Sequence, residues 1–214
     1  MMKIDIFSGI GRKASGHSLV GIQVGKIKEL FKEFTFLNPK DLFQLALITK
    51  LKQVTKGEHI VREGEYNYRA IKVIKGLLCH YVIDNNGDEK TLLFVPEKMY
   101  SGSLQTTIGG KAADENIIAL ENSWLLVVDI RELEKLADTN IRILKLLNQS
   151  HKQIILQAAT RIKFLIAHSP EERYLQFTNT YPNLENRVKQ KHLASFLGIT
   201  VSSLSRIKAR LSKR

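Results

Sequence analysis

The stretch Lys189-Gln-Lys-His-Leu-Ala-Ser-Phe-Leu-Gly-Ile-Thr-Val-Ser-Ser-Leu-Ser-Arg-Ile-Lys-Ala-Arg-Leu-Ser-Lys-Arg214 decides how the rest of the chain is read. It spells a helix, a turn with a glycine, and a second, basic helix. Each placement has a steric role: Ala194 lets the two helices cross closely, and Gly198 permits a left-handed backbone at the end of the first. Leu193, Leu197, Ile199, Leu204 and Ile207 fill the seam between the helices, and Thr200 caps the free amides of the second. A plain helical hairpin could share the leucines. The joint placement of alanine, glycine, threonine and flanking base is that of a helix-turn-helix, a unit shaped to enter a DNA groove.

Composition agrees with a polyanionic partner. Among 214 residues Lys and Arg number 33 against 21 acids, a formal net charge of +12. From residue 183 onward stand Arg187, Lys189, Lys191, Arg206, Lys208, Arg210, Lys213 and Arg214, with Glu185 the single acid. Such a concentration attracts nucleic acid. No apolar run approaches the roughly 20 residues that span a bilayer, and no signal-peptide pattern is present, so a cytoplasmic protein without a membrane partner is expected. The single cysteine, Cys79, excludes internal disulfides and cysteine-rich metal centres, and its surroundings read as a strand.

Residues 1–25 are rich in glycine and read as a loose extension. Residues 26–36 have helical spacing, and Asn38-Pro39-Lys40-Asp41 starts a second short helix with a cap, a first-turn proline and an acid over the amino end. Short β-rich runs follow at residues 58–61, 70–74, 77–83, 91–95, 116–120 and 124–129, with Asn85-Asn86-Gly87-Asp88 as a tight hairpin turn. Many short strands without intervening long helices imply an antiparallel barrel or sandwich. Between Asn140 and His168, Ile141, Asn148, Ile155 and Ile162 occupy one heptad track, and Leu144, His151, Ala158 and Leu165 the other. Alternating spacings of three and four make a coiled-coil seam, in which Asn148 would fix register. Ser169-Pro170-Glu171-Glu172 then reads as a capping box opening a new helix to about Thr178.

With these parts in order, the chain after its extension resembles the Crp/Fnr family of bacterial transcription regulators. The resemblance rests on Lys56-Gly-Glu-His-Ile-Val-Arg-Glu-Gly-Glu65, Val73-Ile-Lys-Gly76, Asn86-Gly87, Leu93-Phe-Val-Pro-Glu97, Tyr100-Ser-Gly102 and the run Leu193 to Ile207; the last is most similar to regulators from the Bacteroidetes. It implies an α+β fold: an N-terminal antiparallel β-roll of the cyclic-nucleotide-binding type (a double-stranded β-helix), a long dimerisation helix and a C-terminal winged helix-turn-helix. The corresponding division is 1–25 extension, 26–139 β-roll, 140–168 dimerisation helix and 169–214 DNA-binding domain.

Departures from the family pattern narrow the function. Members that bind cyclic nucleotides have Gly-Glu at the start of the phosphate cassette and an arginine eleven residues after that glycine. Here Gly102 is followed by Ser103, and the later positions hold Ala113 and Asp114. The guanidinium that would clasp a cyclic phosphate is missing, and a carboxylate stands beside its place. Binding of cyclic AMP is therefore not expected, nor is any metal, haem or other cofactor, since Cys79 stands alone and His59 and His80 lie in strand patterns.

The recognition helix should begin at Val201. Val201, Ser202 and Arg206 lie where the family reads base edges, and Arg206 can donate two hydrogen bonds to guanine in the major groove. Lys189, Lys191, Thr200, Ser203, Ser205, Lys208 and Arg210 are candidates for phosphate contacts, which orient without reading sequence. Two such helices on a homodimer would enter successive major grooves about 34 Å apart, so the expected partners are palindromic double-stranded DNA and a second copy of the chain. RNA polymerase and an unidentified small-molecule effector are further partners to be expected of a regulator. A ligand-independent architectural DNA-binding protein, or a regulator that senses a non-nucleotide small molecule, is the alternative. An enzyme is not indicated: the six histidines are scattered, and neither a Gly-x-Ser-x-Gly elbow nor a phosphate-binding loop occurs.

Overall fold

The computed structural model describes residues 35–212. The extension expected over residues 1–25 lies outside the described residues, as does all but the last two positions of the helix expected over residues 26–36. Asn38 caps α1 (Pro39–Ile48) in a capping box, its Oδ1 accepting from Asp41 N at 2.8 Å while Asp41 Oδ2 accepts from Asn38 N at 3.0 Å. Eight strands follow: β1 (Thr49–Val54), β2 (His59–Val61), β3 (Arg69–Lys75), β4 (Leu78–Ile83), β5 (Glu89–Val95), β6 (Tyr100–Ser101), β7 (Asn116–Ala119) and β8 (Ser123–Asp129), with the short helix α2 (Leu104–Thr107) between β6 and β7.

The strands form two antiparallel four-stranded sheets, ordered β1-β8-β3-β6 and β2-β7-β4-β5. Val54, Val61, Ile71, Val73, Leu78, Val95, Ile117 and Leu125 make one buried cluster from both. Burying that apolar surface is the main favourable term holding the sheets together. The Asn85–Asp88 segment connects β4 to β5: Asp84 Oδ1 accepts from Asn86 N and Asp88 N, both at 2.9 Å. Two strands had no clear sequence signature. β1 (TKLKQV) has only Leu51 and Val54 as apolar residues, and β6 has only two residues.

Helix α3 (Ile130–Thr139), N-capped by Asp129, buries Ile130, Leu133 and Ala137. Asn140 ends it and caps α4 (Ile141–Ala167), a 27-residue helix about 40 Å long. Asn140 Nδ2 also donates to Asp41 Oδ1 at 2.7 Å, and the Arg142 guanidinium pairs with the same carboxylate, so α1 is tied to the head of α4. Ser169 and Glu172 form the expected capping box at the start of α5 (Pro170–Thr180). A 3₁₀ turn (Glu185–Arg187), α6 (Gln190–Leu197) and α7 (Val201–Leu211) complete the described chain. No strand occurs between Pro170 and Ser212 among the described residues, so the wing implied by the family resemblance is not part of this domain as described.

A second core joins the parts. Leu77, Cys79 and Phe94 of the β region pack with Phe164 of α4 and with Phe177, Leu184, Leu193, Phe196, Leu197 and Leu204 of the C-terminal helices. The ring centroids of Phe94 and Phe196 are 5.0 Å apart, within the range of favourable aromatic pairing. Burial pushes the Cys79 thiol up to about 12, so it stays protonated and serves as a small apolar filler.

Candidate nucleic-acid interface

The helix pair is built as its sequence requires. Leu193, Ala194, Leu197 and Leu204 are fully buried between the helices. Gly198 adopts φ +66, and a Cβ there would meet Arg173 Nη1 at 2.9 Å; its N–H donates back to α6. Thr200 Oγ1 accepts from Ser203 N at 3.2 Å and lies 2.9 Å from Ser202 Oγ, so α7 opens with a hydroxyl cluster over its free amides. Leu204 and Ile207 hold α7 down. Val201, Ser202, Ser205 and Arg206 are exposed on the opposite side, where spacings of one, three and four residues place them on one face. The three residues read from the sequence as base contacts thus share one outward surface, with Ser205 among them.

The basic residues divide differently from the sequence expectation. Arg187 does not face outward as part of a basic patch: its guanidinium donates to Glu97 at 2.9 and 3.0 Å, to Glu121 at 2.8 and 2.9 Å, and to Gly76 O at 3.1 Å. These partners are about 65 or more positions away in sequence, which is why composition alone could not assign them. Lys191 pairs with Glu89 of β5 at 2.9 Å, Lys208 with Glu185, and Arg210 with Glu171. Lys189 and Arg206 are exposed, with no ion pair to a described residue. The Lys191 and Arg210 pairs are at the surface and weak, so phosphates could compete for both side chains, whereas the Lys208–Glu185 pair is half-buried and would exchange less readily. Arg187, making five bonds, would be held.

On the long helix, Ile141, Leu144, Ile155, Ile162 and Leu165 are exposed, as are Asn148 and Ala158, and His151 is half-buried. An apolar row this long in contact with solvent is a strong signal of an association face.

In the cassette region, Gly102 has φ +144, and a Cβ there would lie 2.7 Å from Arg69 O, so only glycine fits. Ser103 is buried and caps α2 through Thr106 N; Ala113 is buried in the β core; Asp114 is exposed and accepts from Gln105 Nε2 at 3.0 Å. A groove of about 510 Å³ here is lined by Val82, Leu92, Leu104, Ile108, Asp114 and Glu115, so the charged side chains at its wall are carboxylates. Nearby, His80 Nε2 lies 2.8 Å from Ser101 Oγ and His80 Nδ1 lies 3.0 Å from Glu115 Oε2. The order serine, histidine, carboxylate is that of a hydrolase relay, but Ser101 is 6% exposed and does not line the groove. The trio joins β4, β6 and the approach to β7 as a buried polar staple, which the scattered histidines gave no means to foresee. Among the described residues no cluster of histidine, cysteine and acidic side chains is arranged to hold a metal, and no helix is long and apolar enough to cross a membrane.

Two facing antiparallel sheets, a long helix with an exposed apolar row and a terminal helix-turn-helix make up an architecture of β-roll, connecting helix and helix-turn-helix. Residues 51–140 match the cyclic nucleotide-binding domain family. The structure is similar to FixK2 from Bradyrhizobium japonicum, with a TM-score of 0.67 at 17% identity, covering 78% of this chain and 85% of that one. It is likewise similar to a Crp/Fnr-family transcriptional regulator from Eubacterium rectale (TM-score 0.67, 15% identity, 86% and 88% covered) and to the c-di-GMP-responsive regulator CLP of Xanthomonas campestris (0.64, 15%, 82% and 92%). In sequence, electron transport regulator A of Shewanella oneidensis is 25% identical over 194 residues, 83% of this chain and 75% of the relative. The match is thus confined to residues 51–140, and the chain as a whole has the fold of the Crp/Fnr regulators, as its motifs indicated.

Proposed function

We infer that this protein is a sequence-specific DNA-binding regulator of transcription, acting as a homodimer on an imperfect palindrome. The observation that carries the reading is the single exposed face of α7 that presents Val201, Ser202 and Arg206 while Leu204 and Ile207 hold the helix from behind. Arg206 would read a guanine; Thr200, Ser203, Ser205, Lys189 and, after exchange of their ion pairs, Lys191, Lys208 and Arg210 would hold phosphates. The apolar row of α4 would bring two such helices together about the two-fold axis.

Cyclic AMP is not the effector in this reading. The cassette offers Ala113 where a guanidinium is needed, and the neighbouring groove presents Asp114 and Glu115 to an incoming phosphate. Selection of bound sequences from a random DNA pool, followed by band shifts at several salt concentrations, tests the proposal. A preferred palindrome with steep salt dependence supports it. Salt-dependent binding without preference would instead favour the architectural alternative.

A further inference from the structure

Where β5, α4 and the C-terminal helices meet lies a cavity of about 280 Å³, lined by Leu93 of β5, Leu156, Arg161 and Phe164 of α4, Gln176 of α5 and Phe196 of α6, among others. Its α4 residues lie on the side away from the heptad tracks, so the cavity belongs to one protomer and is separate from the association row. It is also separate from the cassette groove, with which it shares no lining residue.

Two of the lining side chains carry polar atoms with nothing to bond. Arg161 Nη1 and Gln176 Oε1 are buried and have no hydrogen-bond partner among the described residues, and Arg173 Nε on the same helix as Gln176 is in the same condition. Arg161 Nη2 donates to Phe196 O at 2.5 Å, and the guanidinium sits 3.9 Å from the Phe196 ring centroid. The ring and the carbonyl hold the guanidinium in place without neutralising it. The charged or titratable groups that act on it are Arg173 and Tyr181, and no carboxylate among the described residues pairs with it. Burial and the Arg173 charge bring its pKa down to about 10, so it remains cationic at neutral pH. Buried charges are ordinarily paired, and orphaned polar atoms ordinarily have a partner.

We propose that this cavity binds a small organic carboxylate with an apolar body, the carboxylate on Arg161 and the body against Leu93, Phe164 and Phe196. A monoanion fits better than a phosphate, because few unpaired donors converge on a mostly apolar wall. Gln176 Oε1 would accept from a hydroxyl or N–H on the ligand. At about 280 Å³ the space is slightly below the roughly 300–1,000 Å³ of sites for drug-sized molecules, which limits the ligand to a small one. Since the ligand would touch the β region, the long helix and α5 and α6 at once, it would bias the orientation of α7 if the cavity changes shape between conformations. That last step rests on the DNA-binding reading above; the binding itself does not.

The full chain is titrated with benzoate and with hexanoate, against benzyl alcohol as the uncharged control and inorganic phosphate as the small anion, by calorimetry and by NMR of the Phe196 amide and the Arg161 side chain. Saturable binding of the carboxylates that moves both signals is expected, with no response to benzyl alcohol. Arg161→Gln should weaken the carboxylates about ten- to hundredfold, the loss of a charged hydrogen bond, while Arg206→Ala leaves them unchanged. Unmoved signals at the highest soluble carboxylate concentrations, equal binding of phosphate, or undiminished binding by Arg161→Gln would each overturn the assignment. Should Arg161→Gln fail to fold, the wild-type signals decide alone. A band shift run in parallel separates the two readings: carboxylate binding without DNA binding leaves this site standing and removes the regulator.

Discussion

Ser195 Oγ, on the first helix of the helix-turn-helix, accepts a hydrogen bond at 2.8 Å from the backbone N–H of Thr91 on β5, 104 positions earlier. β5 is an edge strand of its sheet, and unpaired edge amides need a partner or a cover. Helix α6 supplies both. Replacing Ser195 by alanine should leave the Thr91 amide unsatisfied and cost about 1–3 kcal/mol, read as a lower denaturant midpoint at unchanged slope. A midpoint equal to wild type would mean the docking of α6 on β5 does not persist in solution.

Arg206→Ala should lower affinity for the selected palindrome by about 1–3 kcal/mol and relax the preference at one base pair. Lys208→Ala should weaken all sequences similarly and reduce the salt slope by about one. The Lys208 effect will be partly masked, because its removal also frees Glu185, which shares hydrogen bonds with Tyr174 at 3.0 and 3.1 Å. An unchanged base preference in Arg206→Ala removes that residue from the reading set.

The helix-turn-helix could be read from sequence because its constraints are local: Gly198, Ala194 and Thr200 act within a few residues of their own positions. The caps at Asn38 and Ser169 were legible for the same reason. β1 was not, since Lys50, Lys52 and Gln53 take strand form only through pairing with β8. Helix α3 was likewise passed over although Asp129 caps it, because its short apolar set, Ile130, Leu133 and Ala137, gains meaning only beside the sheet. The destinations of Arg187 and Lys191 depend on acids brought close by the fold, so a count of bases overstated the charge available for DNA. The cavity around Arg161 combines residues from four elements and left no pattern in the chain.

Acid should unfold the protein in two windows. Burial holds the His59 and His192 pKa values below the ordinary histidine value, so both groups favour the folded state fully above about pH 6.5 and less as pH falls through their folded values. The Arg142 hydrogen bonds, aided by Asn140, hold the Asp41 carboxyl well below its usual range. Its contribution is present above the unfolded value near about pH 4 and is lost only at much lower pH. Asp41→Asn should therefore lower stability at pH 7 and flatten the curve below about pH 4, while leaving the upper window in place. Thermal unfolding across pH 2 to 8 measures both, and an Asp41→Asn profile parallel to wild type throughout would contradict the assignment.

The exposed row on α4 makes the last prediction. Ile155 and Ile162 lie seven residues apart and are 64% and 59% exposed, so in a lone chain they are placed in water without return. In a dimer each would enter a hole between side chains of the facing helix. Ile155→Lys and Ile162→Lys would bury charges across the two-fold axis, where like meets like, so either should shift sedimentation from dimer to monomer. The same substitutions cost the folded chain little, because these side chains touch few neighbours within it. DNA binding should fall to half-site affinity with α7 intact. Asn148→Leu should act in the opposite direction, tightening association while relaxing its register. A wild-type protein that sediments as a monomer at every concentration would remove the dimer and, with it, the palindrome.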